Sequence, residues 1–309
     1  MFAAGARQRT SGYRGRFAPS PTGCLHRGNL STALLSWLAA RLAGGELLLR
    51  FDDLDTPRNR AGAEVSICRD LRWLGLDWDG PIRRQSEHRG TYATVLSWLR
   101  RGGWLYPCRC SRRLLADISA PHGATPVYPG TCRNRALGWA AAAGRLPSWR
   151  LRLPPGLIRW QDRFAGDGCV DGPAVVGDVV LRRADGFLAY HLATAVDELS
   201  LGITEVVRGA DLRSATAAQV ALMGVLAAAP PLYAHVPLCC DAAGRRLSKR
   251  DGSAGLAALR ARGWDAAQVI GDLAAGVGLV PAGSRLSSRE LLQQLTAEQL
   301  ERTLTAAQT

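Results

Sequence analysis

Residues 13 to 52 constrain the fold more than any other stretch. Tyr13 to Phe17 reads as a short strand, and Leu30, Ala33, Leu34, Trp37, Leu38 and Leu42 recur at helical spacing until Gly44-Gly45 ends the run. Glu46-Leu47-Leu48-Leu49-Arg50-Phe51-Asp52 is then a near-continuous apolar strand, the pattern of a strand buried on both faces of a parallel sheet. The first strand and the helix are joined by a Pro/Gly-rich turn, Ala18 to Arg27. A strand, a tight turn and a helix N-terminus present unpaired backbone N–H groups and a positive dipole end, an arrangement that favours a phosphate. Pro19 and Pro21 stiffen the turn, Gly23 and Gly28 permit close approach to the backbone, and His26 falls at the helix mouth, placed to donate to a phosphate oxygen. For a lone His-x-Gly, an ordinary turn with a surface histidine is the better reading.

The carboxyl end of the second strand runs into Asp52-Asp53-Leu54-Asp55-Thr56-Pro57-Arg58. Carboxylates there occupy the place where an open α/β sheet puts its ligand. Further on, Ala63–Leu74 and Glu87–Arg101 read as amphipathic helices, each closed by glycine. Trp149, Leu151 and Leu153 alternate as in a half-buried strand, and Gly177–Arg183 and Phe187–Thr194 flank a hairpin turn at Ala184-Asp185-Gly186. A helix is expected from about Ser214 to Ala228, and the last fifty-five residues or so form a small helical tail.

Composition narrows the partners. The net charge of +13 predicts an anionic one, nucleic acid first, although 38 of the 39 cationic residues are arginine and a plain arginine bias weakens that inference. The same bias isolates Lys249, the single lysine, in Arg245-Arg246-Leu247-Ser248-Lys249-Arg250. An ammonium is a compact point charge on a flexible stem, suited to a site crowded with phosphate oxygens where a planar guanidinium does not fit. Eight cysteines in 309 residues, two as Cys108-x-Cys110, indicate a reducing compartment, with the cytoplasm as the expectation. No transmembrane span or signal-peptide core is apparent, and residues 1–12 read as a disordered tail. Cys108, Cys110 and Cys132 suit a tetrahedral zinc that lacks one ligand. Chemistry alone favours His122 as the fourth, because imidazole binds zinc better than phenol.

Two motifs identify a resemblance. Arg16-Phe17-Ala18-Pro19-Ser20-Pro21-Thr22-Gly23-Cys24-Leu25-His26-Arg27-Gly28-Asn29 resembles the first signature of class I aminoacyl-tRNA synthetases in its glutamyl form. Arg27 stands where many relatives carry an aliphatic residue. Arg246-Leu247-Ser248-Lys249-Arg250 resembles the second signature, with Arg246 in place of its first lysine. Arg50-Phe51-Asp52-Asp53-Leu54-Asp55-Thr56-Pro57-Arg58, Gly75-Leu76-Asp77-Trp78-Asp79, the Asp178 to Ala193 run, Arg208-Gly209-Ala210-Asp211-Leu212 and His235-Val236-Pro237-Leu238 fit the same register.

The resemblance implies a class I Rossmann-like parallel sheet, its halves at 13–106 and 148–255, interrupted by a zinc-bearing insertion at 107–147 and followed by a small helical tail at 256–309. It implies that His26 and Lys249 are catalytic. ATP would be held by Pro19, His26, Gly28, Asn29 and Arg246, Leu247, Ser248, Lys249 and Arg250, with Mg²⁺ on its phosphates. Glutamate would be held by Arg16, Phe17, Ala18, Pro19, Ser20, Asp52, Tyr190 and Arg208. In this reading Arg208 pairs with a carboxylate, Asp52 takes the ammonium, and His235 is structural. Tyr128-x-x-x-Cys132 matches the zinc site of the truncated glutamyl-type members, which favours Cys108, Cys110, Tyr128 and Cys132 as ligands of one structural Zn²⁺, with His122 as the rival to Tyr128. The chain ends sixty residues past Lys249, with no large anticodon-binding region. With the insertion, that length implies tRNA-independent activation of L-glutamate and transfer to the queuosine of tRNA(Asp), by a monomer. The alternatives are a compact glutamyl- or glutaminyl-type enzyme charging a tRNA 3′ end, or a small-molecule nucleotidyltransferase of the same superfamily.

Overall fold

The computed structural model describes residues 12–111, 127–142, 144–237 and 255–308. The opening unit has the expected form: β1 (Arg14–Phe17), α1 (Arg27–Leu42) and β2 (Glu46–Phe51), with β1 and β2 parallel and Arg14 opposite Glu46. α2 (Ala63–Trp73) leads to β3 (Arg83–Arg84), a third parallel strand beside β2. β9 (Glu205–Gly209) and β10 (Leu232–Val236) form a second parallel pair, bridged by α5 (Arg213–Val225). The two pairs meet at β1, where Thr204 N donates to Arg14 O at 2.9 Å and Arg14 N donates to Thr204 Oγ1 at 2.8 Å. The chain thus leaves β1 toward β2 on one side and returns through β9 on the other. That reversal opens a crevice at the carboxyl ends of β1 and β9.

Between the halves lie α3 (Arg89–Arg101), an antiparallel sheet of β4 (Leu105–Cys108), β5 (Ser148–Leu151) and β8 (Val180–Arg182), and a hairpin of β6 (Leu157–Trp160) and β7 (Gly168–Asp171). The hairpin expected around Asp185 is only half present. Its turn forms, with Arg183 N donating to Phe187 O, and a single bridge joins Arg182 to Leu188. From Tyr190 the chain is instead helix α4 (Tyr190–Ser200). Every residue of that helix from Leu192 to Glu198 is buried, with Leu192, Ala193, Ala195 and Val196 in one apolar cluster with Leu96 and Leu99 of α3.

The tail is four short helices: α6 (Leu256–Ala261), α7 (Ala266–Ala275), α8 (Ser288–Gln294) and α9 (Ala297–Ala306). It covers α1. Every position of α1 from Leu30 to Ala40 except Thr32 is buried, because the sheet lies against one face and the tail against the other. Leu34 and Leu38, fully enclosed, contribute roughly 2 kcal/mol each by burial. Among the described residues, no helix is long and apolar enough to cross a membrane.

Candidate active site

The crevice at the carboxyl ends of β1, β2 and β9 is a cleft of about 160 Å³. Its walls bring together Arg16, Phe17, Ala18, Pro19, His26, Gly28, Asn29, Asp52, Tyr190 and Arg208, residues spread over nearly two hundred positions of sequence. Ser20 lines an adjoining cleft together with Pro19, His26, Asn29 and Asp52. Of the predicted site, Arg246, Leu247, Ser248, Lys249 and Arg250 lie outside the described residues, as does His122.

His26 is the N-cap of α1. Its Nδ1 accepts from Asn29 N at 3.4 Å while Asn29 Oδ1 accepts from His26 N, a reciprocal capping box. A neutral imidazole that accepts at Nδ1 carries its proton on Nε2. The cap therefore sets the tautomer and holds a ring N–H at the positive end of the helix. Gly28 leaves room beside it, since a Cβ there would stand 3.1 Å from the ring and press it out of its capping position. Arg27, the departure from the resembled signature, ion-pairs with Asp272 of α7 at 2.8 Å and so ties the helix mouth to the tail.

Beneath the cleft, Arg16 and Asp52 join a charge cluster whose other members, Arg50, Asp197 and Glu198, sequence reasoning alone does not assign. Arg50, fully buried in β2, donates from Nε to Asp52 Oδ1 at 2.8 Å and sits 3.4 Å from Glu198 and 3.5 Å from Asp197. Arg16 donates to Glu198 Oε1 at 2.9 Å and to Val207 O at 2.8 Å. Gln85 and Tyr92 donate to the two oxygens of Asp197. Burial raises the pKa of Asp52 and of Asp197 despite Arg50. Burial acts the same way on Glu198, but Arg16 and Arg50 together overcome it and hold Glu198 below the usual range. Two signals in the sequence point at this cluster: an arginine inside an apolar strand, and adjacent acids inside an apolar helix pattern. A charge in such a place must be paired.

Arg208 is buried rather than an exposed ion-pair partner. Its Nη1 donates to Gln219 Oε1 at 2.8 Å, its Nη2 to Thr216 Oγ1 at 2.7 Å and its Nε to His235 Nε2 at 3.1 Å. Tyr190, at the N-terminus of α4, is 39% exposed at the cleft mouth. Its neighbour His191 is held neutral, with burial and then Arg208 lowering its pKa to about 4.

A second cluster sits in the segment between α3 and β5. The Sγ atoms of Cys108, Cys110 and Cys132 lie within 4.8 Å of one another, with Cys110 and Cys132 3.6 Å apart. Tyr128 Oη is 3.4 Å from Cys108 Sγ and 3.7 Å from Cys110 Sγ, and it accepts from Cys132 N at 2.8 Å. Tetrahedral zinc with ordinary bond lengths separates two sulfurs by about 3.8 Å and a sulfur from an oxygen by about 3.5 Å. Three thiols and a phenol at these separations fit that ion.

Residues 13–296 match the family model for the catalytic domain of class I tRNA synthetases of the glutamyl and glutaminyl type. The chain belongs to that family. It is 59% identical over 292 residues to a glutamyl-Q tRNA(Asp) synthetase of Prochlorococcus marinus strain MIT 9303, covering 94% of this chain and 90% of that one. A protein of the same name from Nitratidesulfovibrio vulgaris is 47% identical, with 87% of each chain covered. The crystal structure of a glutamate tRNA ligase from Elizabethkingia meningosepticum, solved in complex with its amino acid, superposes with a TM-score of 0.77 at 28% identity, over 95% of this chain and 69% of that one. In this family setting the capped His26, the buried Arg208 and the crevice at the strand ends belong to one catalytic domain, the one that the two sequence signatures resemble.

Proposed function

We propose that this class I synthetase activates L-glutamate with ATP, without needing tRNA, and transfers the glutamyl group to the queuosine of the tRNA(Asp) anticodon. The observation that carries the acceptor is the identity of 57–59%, over 93–94% of this chain, with four relatives that bear the glutamyl-Q tRNA(Asp) name. A glutamate carboxylate oxygen attacks the α-phosphorus of ATP, a P–O bond forms, and pyrophosphate leaves with the electrons of the bond it breaks. A hydroxyl of the queuosine cyclopentenediol then attacks the acyl carbon, an ester forms, and AMP departs.

The residues divide the work by charge. Arg208 offers its remaining donor capacity to a carboxylate and Asp52 offers a carboxylate to the ammonium, with Arg16, Phe17, Ala18, Pro19, Ser20 and Tyr190 shaping the space between. The Nε2–H of His26 and the α1 N-terminus, with Pro19, Gly28 and Asn29, receive the phosphates. Lys249, within Arg246–Arg250, supplies the compact cation for the leaving pyrophosphate. Mg²⁺ entering with ATP would neutralise charge on the phosphate oxygens. Catalysis of this kind rests on positioning and charge stabilisation.

Cys108, Cys110, Cys132 and Tyr128 would hold one structural Zn²⁺, cross-linking the end of β4 to the turn at 128–132. We take the active form to be a monomer, and reduced thiol ligands are in keeping with the cytoplasm. The test uses labelled glutamate, ATP and two forms of tRNA(Asp). Label on the queuosine-bearing form and none on the unmodified transcript is expected. Label at the 3′ end of unmodified tRNA(Glu) would overturn the acceptor while leaving the adenylate chemistry in place.

A further inference from the structure

We propose that Asp162 and His235 form a buried relay that orients Arg208, so that a residue from the loop of the β6–β7 hairpin, bridged in parallel to β10 at Tyr233, sets the affinity of the cleft for glutamate. The inference rests on the proposed pairing of Arg208 with a glutamate carboxylate. His235 lies opposite Arg208 in the register of β10 and β9. It is fully buried, and its Nδ1 hydrogen-bonds to Asp162 Oδ2. Asp162 Oδ1 accepts from the backbone N–H groups of Ala165 at 3.1 Å and His235 at 3.2 Å, so the carboxylate is locked in place by its own loop and by β10.

Hydrogen-bond polarity fixes the rest. An ionised carboxylate only accepts, so His235 carries its proton on Nδ1 and Nε2 presents a lone pair. A guanidinium only donates, and Arg208 Nε is the group facing that lone pair, at 3.1 Å. Thr216 Oγ1 is 3.3 Å from the same Nε2 and accepts from Arg208 Nη2, so its hydroxyl hydrogen turns toward the imidazole. Gln219 Oε1 takes the third edge. Every one of these partners of Arg208 is a neutral acceptor. They orient the guanidinium without an ion pair; Glu198 acts on it only at longer range and the Tyr233 ring stacks 5.0 Å away, so a substrate carboxylate can supply the direct pair. The charged groups around His235 are Asp162, Arg208 and Arg213. Burial and the two arginines keep the ring neutral against the pull of Asp162.

The rival account is that His235 merely fastens the hairpin to β10 through Asp162. Two amides separate the accounts, because asparagine places its nitrogen near the Nδ1 position and glutamine places its oxygen near the Nε2 position. His235→Asn keeps the Asp162 contact and loses the Arg208 contact; His235→Gln does the reverse. Loss of a hydrogen bond to a charged group corresponds to about tenfold to a hundredfold in binding. ATP–pyrophosphate exchange on the full chain should show the KM for glutamate of His235→Asn raised by about that factor, with the KM for ATP within about twofold of the parent. His235→Gln, which keeps the Arg208 contact without Asp162 to orient it, should recover only part of the loss; recovery to the parent's KM removes Asp162 from the relay. A glutamate KM unchanged in His235→Asn, or His235→Gln as the worse of the two, overturns the relay. Arg208→Gln tests the underlying reading separately: an unchanged glutamate KM there removes Arg208 from the substrate, and the relay's purpose with it. Nitrogen-15 NMR of labelled histidine in the unmutated protein is an arm that needs no variant to fold. A Nδ1–H tautomer for His235 is expected, and a Nε2–H tautomer refutes the relay.

Discussion

Glu198→Gln is the perturbation with the largest calculable effect at this site. The carboxylate is 1% exposed and is shared by two arginines, Arg16 at 2.9 Å and Arg50 at 3.4 Å, themselves 5% and 2% exposed. Removing one partner of a buried ion pair costs about 3–5 kcal/mol, because it leaves the other charge desolvated and unmatched. At about 2.1 cal/mol/K per residue, a chain of this length unfolds with an entropy of about 0.65 kcal/mol/K, so that cost is a fall in Tm of about 5–8 °C. Glu46→Gln is the contrast. Glu46 pairs with Arg14 at 2.6 Å, a shorter contact, but it is 51% exposed, and an exposed pair contributes about 0–1 kcal/mol. Its Tm should move by no more than about 1–2 °C. The pH dependence has a definite sign. A depressed carboxylate contributes stability that is complete above its unfolded pKa, 4.5 for Glu198, and is lost as pH falls through the lower folded value. The difference between the parent and Glu198→Gln should therefore narrow below pH 4.5. Asp52 and Asp197, shifted upward, act in the opposite direction, and because Glu198 supplies part of that shift their contribution is smaller in Glu198→Gln and partly offsets the narrowing. Differential scanning calorimetry from pH 7 down to pH 4 measures all of this. A Glu198→Gln protein melting within 2 °C of the parent at pH 7 would refute the claim that Glu198 anchors the two arginines.

Three further outcomes are expected. Cys132→Ser should purify without stoichiometric zinc by elemental analysis, whereas Tyr128→Phe, with three thiolates intact, should retain the metal but release it to a chelator faster; equal metal content in Cys132→Ser and the parent would remove that thiol from the ligand set. Gly271→Ala should break the tail's own packing, since a Cβ there would stand 1.8 Å from Ser284 O, a backbone atom of the loop between α7 and α8; limited proteolysis should cut beyond residue 255 far sooner than in the parent, and equal resistance would refute the packing. His191, with its pKa lowered to about 4, contributes stability that is complete above the ordinary histidine value of 6.5 and is lost as pH falls toward 4, about 3 kcal/mol in all. In urea titrations His191→Gln should lose correspondingly less between pH 7 and pH 4.5, and parallel losses in the two proteins would place His191 in solvent.

The parts of the site legible in the sequence are those in which one short segment does the work by itself. The strand, turn and helix carrying Arg16 to Asn29 are local, so residue spacing and cap chemistry predict where His26 lies. Asp52 is legible for the same reason, as the residue that ends a buried strand. Arg208 is recognisable as a cation, but its setting is not, because Thr216, Gln219 and His235 reach it from other elements. His235 reads as structural in the sequence, and only the pairing of β10 with β9 places its ring against Arg208. Residues 187–194 imitate a strand because a tight turn at Asp185-Gly186 normally returns one; here the turn forms while its second arm becomes α4. Local turn chemistry decides the turn, and tertiary burial decides the conformation of the next segment.

The tail carries the last step. Its capping boxes, Asp265 with Gln268, Ser287 with Glu290 and Thr296 with Gln299, are local and mark three helix starts without any knowledge of the fold. The role of those helices is set by α1. A helix apolar on nearly every face needs cover on two sides, and the sheet supplies only one. The tail supplies the other; Arg260 and Ser288 tie it to α2 and the turn after it through Asp70 and Gly75 O, and three further polar contacts fall near the candidate site. Arg27 reaches Asp272 beside His26, Arg163 reaches Glu301 beside Asp162, and Gln308 donates to His235 O at 2.6 Å. Residues with no chemistry of their own thus touch both the helix mouth proposed to meet ATP and the relay proposed to orient Arg208. Tail packing and glutamate affinity are therefore coupled. Gln308→Ala, which removes one contact at the chain's end and leaves the α1 packing intact, should raise the KM for glutamate more than the KM for ATP, while Arg27→Leu should do the reverse; equal effects on both substrates would reduce the tail to a cover for α1.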